Sequence, residues 1–125
     1  RESGCVFCDI DSKRVVMENA LAVAVRDGYP VTPLHTLLIP KRHTDTYFNL
    51  FSSELRAIEQ LVDSQRTEIA AQDRTVGGFN IGINAGEVAG QTVMHCHVHL
   101  IPRRAGDVPN PRGGVRHTIP GRGNY

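Results

Sequence analysis

The apolar positions of the chain change period along its length, and the changes divide it into elements. Val15, Val16 and Met17, then Ala20 to Val25, flank Glu18-Asn19 and read as two adjoining antiparallel strands across Val15 to Arg26, the second apolar enough to be central in a sheet. Asp27-Gly28-Tyr29-Pro30 ends this pair. A third strand runs from Leu34, is closed by Pro40 and leads into the basic turn Lys41-Arg42-His43. Ser52 or Ser53 can cap a helix with Glu54 in its first turn, where the helix dipole favours a carboxylate. Leu55, Ile58, Leu61, Val62 and Ile69 then recur at three- and four-residue steps, giving one apolar stripe over about five turns. Glu59, Gln60, Asp63 and Glu68 fall mostly off that stripe and mark a solvated face.

Gly77-Gly78 breaks the helical pattern, and Phe79, Ile81 and Ile83 alternate with Asn80, Gly82 and Asn84 as a half-buried strand. A glycine-containing loop, Ala85 to Val93, leads into the last periodic stretch, Met94 to Arg103. There His95, His97 and His99 alternate with Cys96, Val98 and Leu100. Read as a strand, this stretch carries three imidazoles on one face, neighbours about 6.5–7 Å apart, over an apolar face. Such spacing lets neighbouring imidazoles share a phosphate or a metal without stacking.

At 125 residues the chain is long enough for one core, so a single domain 1–125 is expected, with an N-terminal extension over 1–4 and a Pro/Gly/Arg-rich tail over 104–125. No apolar run approaches the roughly 18 residues a membrane helix needs. A formal net charge of +1 argues against a general nucleic-acid binder. The charge is uneven, because Arg103, Arg104, Arg112, Arg116 and Arg122 face one acid, Asp107, near the C-terminus. That suits a polyanionic small ligand or, equally, a solvated tail. The opening Arg1-Glu2-Ser3-Gly4 carries no signal-like apolar segment, and a trimmed cytoplasmic protein is expected.

Three cysteines do not make a secreted disulfide framework. Cys5 and Cys8 have the C-x₂-C spacing of half a zinc site or a redox pair; no βαβ pattern surrounds them, which favours zinc, with histidines as the supply of further ligands. Cys96 behaves as a small hydrophobe.

His95-Cys96-His97-Val98-His99-Leu100-Ile101 resembles, position by position, the His-φ-His-φ-His-φ-φ signature of the histidine-triad (HIT) superfamily of nucleotide hydrolases and transferases, φ being apolar. Asn84, the Gly90-Gln91-Thr92 run and the strand ending Ile39-Pro40-Lys41-Arg42-His43 extend the resemblance, so that it spans roughly residues 5 to 103. The tail is similar to that of bacterial diadenosine polyphosphate hydrolases of this superfamily. The resemblance implies an α+β, HIT-like fold: an antiparallel sheet of about five strands with one long helix and a short N-terminal helix, the sheet continued across a homodimer.

The resemblance also implies a chemistry. His97 attacks the α-phosphorus of a nucleotide, and water opens the nucleotidyl-histidine that results. A backbone carbonyl near the first histidine of the triad fixes the tautomer of His97. His99 and His35 bind phosphate or the leaving oxygen, Gln91 and Thr92 hydrogen-bond the phosphate, and Asn84 holds the phosphate or the leaving side. Asp27 matches the acid that holds ribose hydroxyls, although it also reads as a plain turn residue. Cys5, Cys8, His43 and His95 match the ligands of a closed structural zinc in the zinc-bearing branch, and Mg²⁺ is conceivable with a polyphosphate. The substrate expected first is diadenosine tetraphosphate; the alternatives are an adenosine 5′-monophosphate phosphoramidate and a non-catalytic nucleotide-binding or sensor role.

Overall fold

The computed structural model describes residues 2–125. Five strands, β1 (Val15–Glu18), β2 (Ala22–Arg26), β3 (Thr36–Pro40), β4 (Val76–Ile83) and β5 (Val98–Arg104), form one antiparallel sheet in the order β1-β2-β3-β5-β4. A single long helix, α1 (Ser52–Gln72), lies across one face. The hairpin between β1 and β2 is set by Asn19: its Oδ1 accepts from the Leu21 and Ala22 amides (3.2 and 3.0 Å) while its Nδ2 donates to the Ala57 carbonyl of α1 (2.9 Å). One side chain thus shapes the turn and docks it on the helix.

β3 is buried along its whole length, since both faces of the sheet are covered. Beneath α1, Ala22, Ala24, Leu38, Val98 and Leu100 pack with Ile58, Leu61 and Ile69. On the opposite face Val25, Leu37 and Ile39 form a smaller core under Phe7 and Ile10 of the N-terminal segment. His99 pairs with Leu37 on one side and Gly82 on the other, so it shares the face of this smaller core.

Four local expectations change. The N-terminal helix is a single 3₁₀ turn, Ser12–Arg14. The cap of α1 is Phe51, not Ser52 or Ser53: Glu54 Oε1 accepts from the Phe51 amide (2.8 Å), and Arg42 holds that carboxylate through both oxygens (2.8 and 2.9 Å). The buried stripe of the helix includes Glu54 and Gln65, because polar partners reach under it; Arg26 donates to Gln65 Oε1 at 2.6 Å and to Thr36 Oγ1 at 2.8 Å.

The histidine stretch is a strand only from Val98 onward. β3 and β5 pair through Thr36–Leu38 and Val98–Leu100, and the ladder stops where it would meet Pro40. Pro40 has no N–H to give, and its carbonyl is taken by the His95 ring (2.7 Å), while the Cys96 amide donates to Thr44 instead (2.8 Å). His95 and His97 therefore precede the strand in irregular chain, and three imidazoles do not line one flat face. Among the described residues no helix is long and apolar enough to cross a membrane.

Candidate active site and metal centre

The break at Pro40 sorts the triad into two places. His95 is fully buried and turned toward His43, the two rings at right angles with centroids 5.0 Å apart. His97 and His99 stay together on the other side, 5.3 Å between centroids. His97 Nδ1 lies 2.8 Å from the His95 carbonyl. A carbonyl oxygen only accepts, so Nδ1 carries the proton and Nε2 presents its lone pair outward. Phe7 packs against this ring edge to face, centroids 4.9 Å apart, and fixes its other side.

The same reasoning assigns the neighbouring rings. The Val31 amide donates to His35 Nδ1 (3.2 Å), which leaves the proton of His35 on Nε2; that nitrogen faces His99 Nδ1 at 2.9 Å. His99 Nδ1 is then the acceptor, and its proton sits on Nε2. A backbone amide thus sets two side chains in turn. Burial lowers the pKa of both His35 and His99; neighbouring His97 and His35 lower that of His99 further, and Asp27 partly offsets the shift in each. Both rings are held neutral, as the relay requires.

Asp27 Oδ2 stands 3.5 Å from His35 Nε2, and Oδ1 accepts from the Tyr29 amide at 2.8 Å. Asp27, His35 and His99 are close enough to hold a metal, but the 2.9 Å contact between the imidazoles is a hydrogen bond that already uses the nitrogens concerned. His35 is aimed by a turn: Pro33 occupies its second position, the His35 amide donates back to Thr32 (3.1 Å), and Leu34 between them has φ 69°. Glycine is the usual residue there, so the leucine holds a costly conformation immediately before a site residue.

Cys5, Cys8, His43 and His95 offer four donor atoms within 4.8 Å of one another. His43 Nδ1 is 3.3 Å from Cys8 Sγ, and His95 Nδ1 is 3.6 Å from both sulfurs. Zn–S bonds of about 2.3 Å and Zn–N bonds of about 2.0–2.1 Å at the tetrahedral angle place S and N about 3.6 Å apart, which these distances match. The Pro40 carbonyl holds the His95 proton on Nε2 and frees Nδ1 for the metal, the outer-shell arrangement expected of a ligating imidazole. The residues fit zinc. With two cysteines and two histidines the coordination is closed, so the ion would serve as a cross-link. Cys96 lies outside the cluster; burial pushes its thiol up to about 11, and it packs as an apolar group.

The Gly86 to Val93 loop departs from expectation at Gln91. Its side chain is buried and already engaged: Nε2 donates to Asp45 and Val93 carbonyls (2.7 and 3.0 Å), and Oε1 accepts from the Gly86 amide (2.8 Å). Both N–H groups are spent on the loop, so Gln91 positions the loop rather than touching phosphate. Thr92 is exposed and lines a cleft with Cys5 and His43. Asn84 does face the histidines, in a cavity of about 630 Å³ that also borders His35, His99, Gly82 and Ile101.

That cavity has a wall that sequence reasoning missed. The tail folds back as a 3₁₀ turn, Gly114–Thr118, packed on β4 of its own chain, with Val115, His117 and Thr118 on the cavity. The basic residues of the tail do not reach in as free charges. Arg103 holds Asp107 through both oxygens at 2.8 Å, Arg104 holds Asp73 at 3.0 Å, and the guanidinium groups of Arg112 and Arg116 lie 4.6 and 4.8 Å from the Tyr125 ring centroid. The sequence signals were Tyr125 and the sixth histidine, His117, whose Nε2 donates to the Arg112 carbonyl at 2.8 Å.

The HIT domain family model matches residues 10–106. An HIT-like protein of Mycoplasma genitalium is 34% identical over 105 residues, 81% of this chain and 74% of its own. The solved structure of a HIT family protein from Bacillus anthracis superposes with a TM-score of 0.77 at 38% identity, covering 84% of this chain and 77% of that one. A zinc-bound histidine triad protein from Mycobacterium smegmatis gives 0.70 at 36% identity (83% and 78% covered). Diadenosine triphosphate hydrolase from Plasmodium falciparum gives 0.74 at 30% identity (81% and 68% covered). The triad, the five-stranded sheet with its single long helix, and this match over most of the chain have one meaning: the protein belongs to the HIT domain family.

Proposed function

We propose that the protein hydrolyses a dinucleoside polyphosphate, diadenosine tetraphosphate first, at the α-phosphorus through a nucleotidyl-histidine. The observation that carries this reading is the 2.8 Å bond from His97 Nδ1 to the His95 carbonyl, which orients the ring and leaves Nε2 as the nitrogen available for attack. Its lone pair attacks the α-phosphorus, and the bond to the leaving oxygen breaks. His99 Nε2–H hydrogen-bonds that oxygen and stabilises the charge it gains, so ATP departs as an anion and AMP stays on His97. Water then attacks the same phosphorus, the P–N bond to His97 breaks and returns the ring to its starting form, AMP is released, and the proton the water loses goes to solvent. Asn84 holds a phosphate oxygen, and Asp27, each of whose oxygens keeps a second lone pair, accepts from ribose hydroxyls. The zinc cross-link takes no part in these steps.

The phosphoramidase reading shares every step and differs in the leaving amine. One observation favours it: Arg103 and Arg104 are paired with Asp107 and Asp73, and Arg112 and Arg116 lie against the Tyr125 ring, so a long polyphosphate finds fewer unpartnered cations than the composition promised. Turnover of diadenosine tetraphosphate and of an AMP-lysine phosphoramidate by the same preparation decides between them. With the first substrate in ¹⁸O-water the label is expected in AMP and not in ATP, and His97→Ala should lose several orders of magnitude in turnover. Label in ATP, or an active His97→Ala, removes the reading.

The same reading takes the protein as a cytoplasmic homodimer. Cysteine ligands must stay reduced, which suits a reducing compartment. The eight-residue strand β4 is an edge of the sheet with Ile81 exposed, and an edge of this kind invites pairing. Sedimentation at micromolar concentration should show a species of twice the chain mass; a monomer there would end the dimer proposal.

A further inference from the structure

The cavity beside His99 is shaped by two features that the hydrolytic mechanism does not use. Its floor on β4 is Gly82, directly across from His99 in the ladder. A Cβ built there meets no atom within 4 Å, and its backbone is not left-handed, so the missing side chain is neither a packing nor a conformational necessity. What the glycine leaves is room at the histidines. The wall facing it is the turn Gly114–Thr118, which brings Val115 and Thr118 over the strand.

That turn belongs to a cap built to hold its shape. The His117 ring lies between Gly113 and Gly123, either of which would drive a Cβ into its neighbours. Arg116 donates to the Gly123 carbonyl (3.3 Å), and Arg112 and Arg116 clasp the Tyr125 ring. Gly114 sits against the Asn80 amide, whose oxygen accepts from Arg103 at 2.7 Å. The cap is therefore tied both to itself and to the β4–β5 face.

We propose that the cap walls a subsite for the leaving group, and that Gly82 and Val115 set the size of group accepted. This rests on the hydrolase reading above, and it names the occupant: the departing nucleotide of the substrate, with its flat base against Val31, Ile101 and Val115. The lining carries the argument. Those apolar side chains, with the carboxamides of Asn80 and Asn84, suit a nucleobase, and no arginine of the tail lines the cavity. A volume of about 630 Å³ is ample for one nucleotide. Pα lies by His97, so whatever leaves past His99 enters this space.

Binding tests the subsite apart from catalysis. Calorimetry compares AMP with a methylene-bridged, non-hydrolysable diadenosine tetraphosphate on the wild type, Gly82→Val, Val115→Trp and Val115→Ala. In the wild type the dinucleotide should bind more tightly than AMP. Gly82→Val and Val115→Trp should reduce that preference at least tenfold, and Val115→Ala should not. Val115 is on an exposed turn, so Val115→Trp tests the subsite even where Gly82→Val lowers the melting temperature. A preference unchanged within twofold in both bulky variants, or no preference in the wild type, overturns the proposal. Wild-type turnover, measured alongside, reports separately on the hydrolase reading: tight, cap-dependent dinucleotide binding without turnover would refute the enzyme and keep the subsite.

Discussion

At the scale of single residues, the site is organised by which nitrogen of each ring holds the proton, and three backbone groups decide it. The carbonyls of His95 and Pro40 place protons on His97 Nδ1 and His95 Nε2, and the Val31 amide, through His35, places that of His99 on Nε2. None of these groups is a side chain, so the sequence could name the histidines but not their tautomers. A pH dependence follows from the lowered pKa values of His35 and His99. The unfolded chain takes up these protons as pH falls through about 6.5, while the folded chain resists until lower pH. Their contribution to stability is full above the unfolded value and is lost as pH falls toward the folded values. Urea midpoints should therefore be lower at pH 5.5 than at pH 7.5, and His35→Asn should shrink that difference. A midpoint independent of pH, or a dependence untouched by the substitution, would contradict the relay.

At the scale of elements, the Gly86 to Val93 loop shows where motif and geometry part. Gln91 stands in a run that the family resemblance assigns to phosphate, yet its amide closes the loop onto Asp45. Gln91→Ala should cost about 1–3 kcal/mol of stability by leaving buried partners unpaired, whereas Thr92→Ala, on the exposed side, should stay within about 0.5 kcal/mol. Chemical unfolding checks both, and a Gln91→Ala variant of unchanged stability with lost phosphate binding would restore the expected role. The five strands and the helix were legible because periodicity records burial, as the stripe of Ile58, Leu61 and Ile69 does. The late start of β5 was not. It depends on Pro40 of a strand far away in sequence meeting the histidine stretch in register. The cap was missed for a similar reason: its arginines read as charge for a polyanionic ligand or for solvent, and only the fold brings Tyr125 between Arg112 and Arg116.

At the scale of the whole molecule, the cysteine–histidine cluster joins three segments that lie far apart in the sequence. Cys5 and Cys8 hold the N-terminal segment, His43 the connection after β3, and His95 the approach to β5. The N-terminal segment carries Phe7 and Ile10 over the smaller core and sets Phe7 against His97, so the cluster secures both a patch of core and one side of the nucleophile. Zinc that binds only the folded arrangement adds its binding energy to folding. Removal by a strong chelator should lower the melting temperature by roughly 10 °C or more. Hydrogen exchange should quicken first at residues 5–10, before β2, β3 and β5, because the larger core beneath α1 does not involve the cluster. Elemental analysis should find one zinc per chain in the wild type and in Cys96→Ser, and none in Cys5→Ser/Cys8→Ser. Zinc retained by the double variant, or a melting temperature indifferent to chelation, would show that the four residues are packed side by side without a metal to hold them.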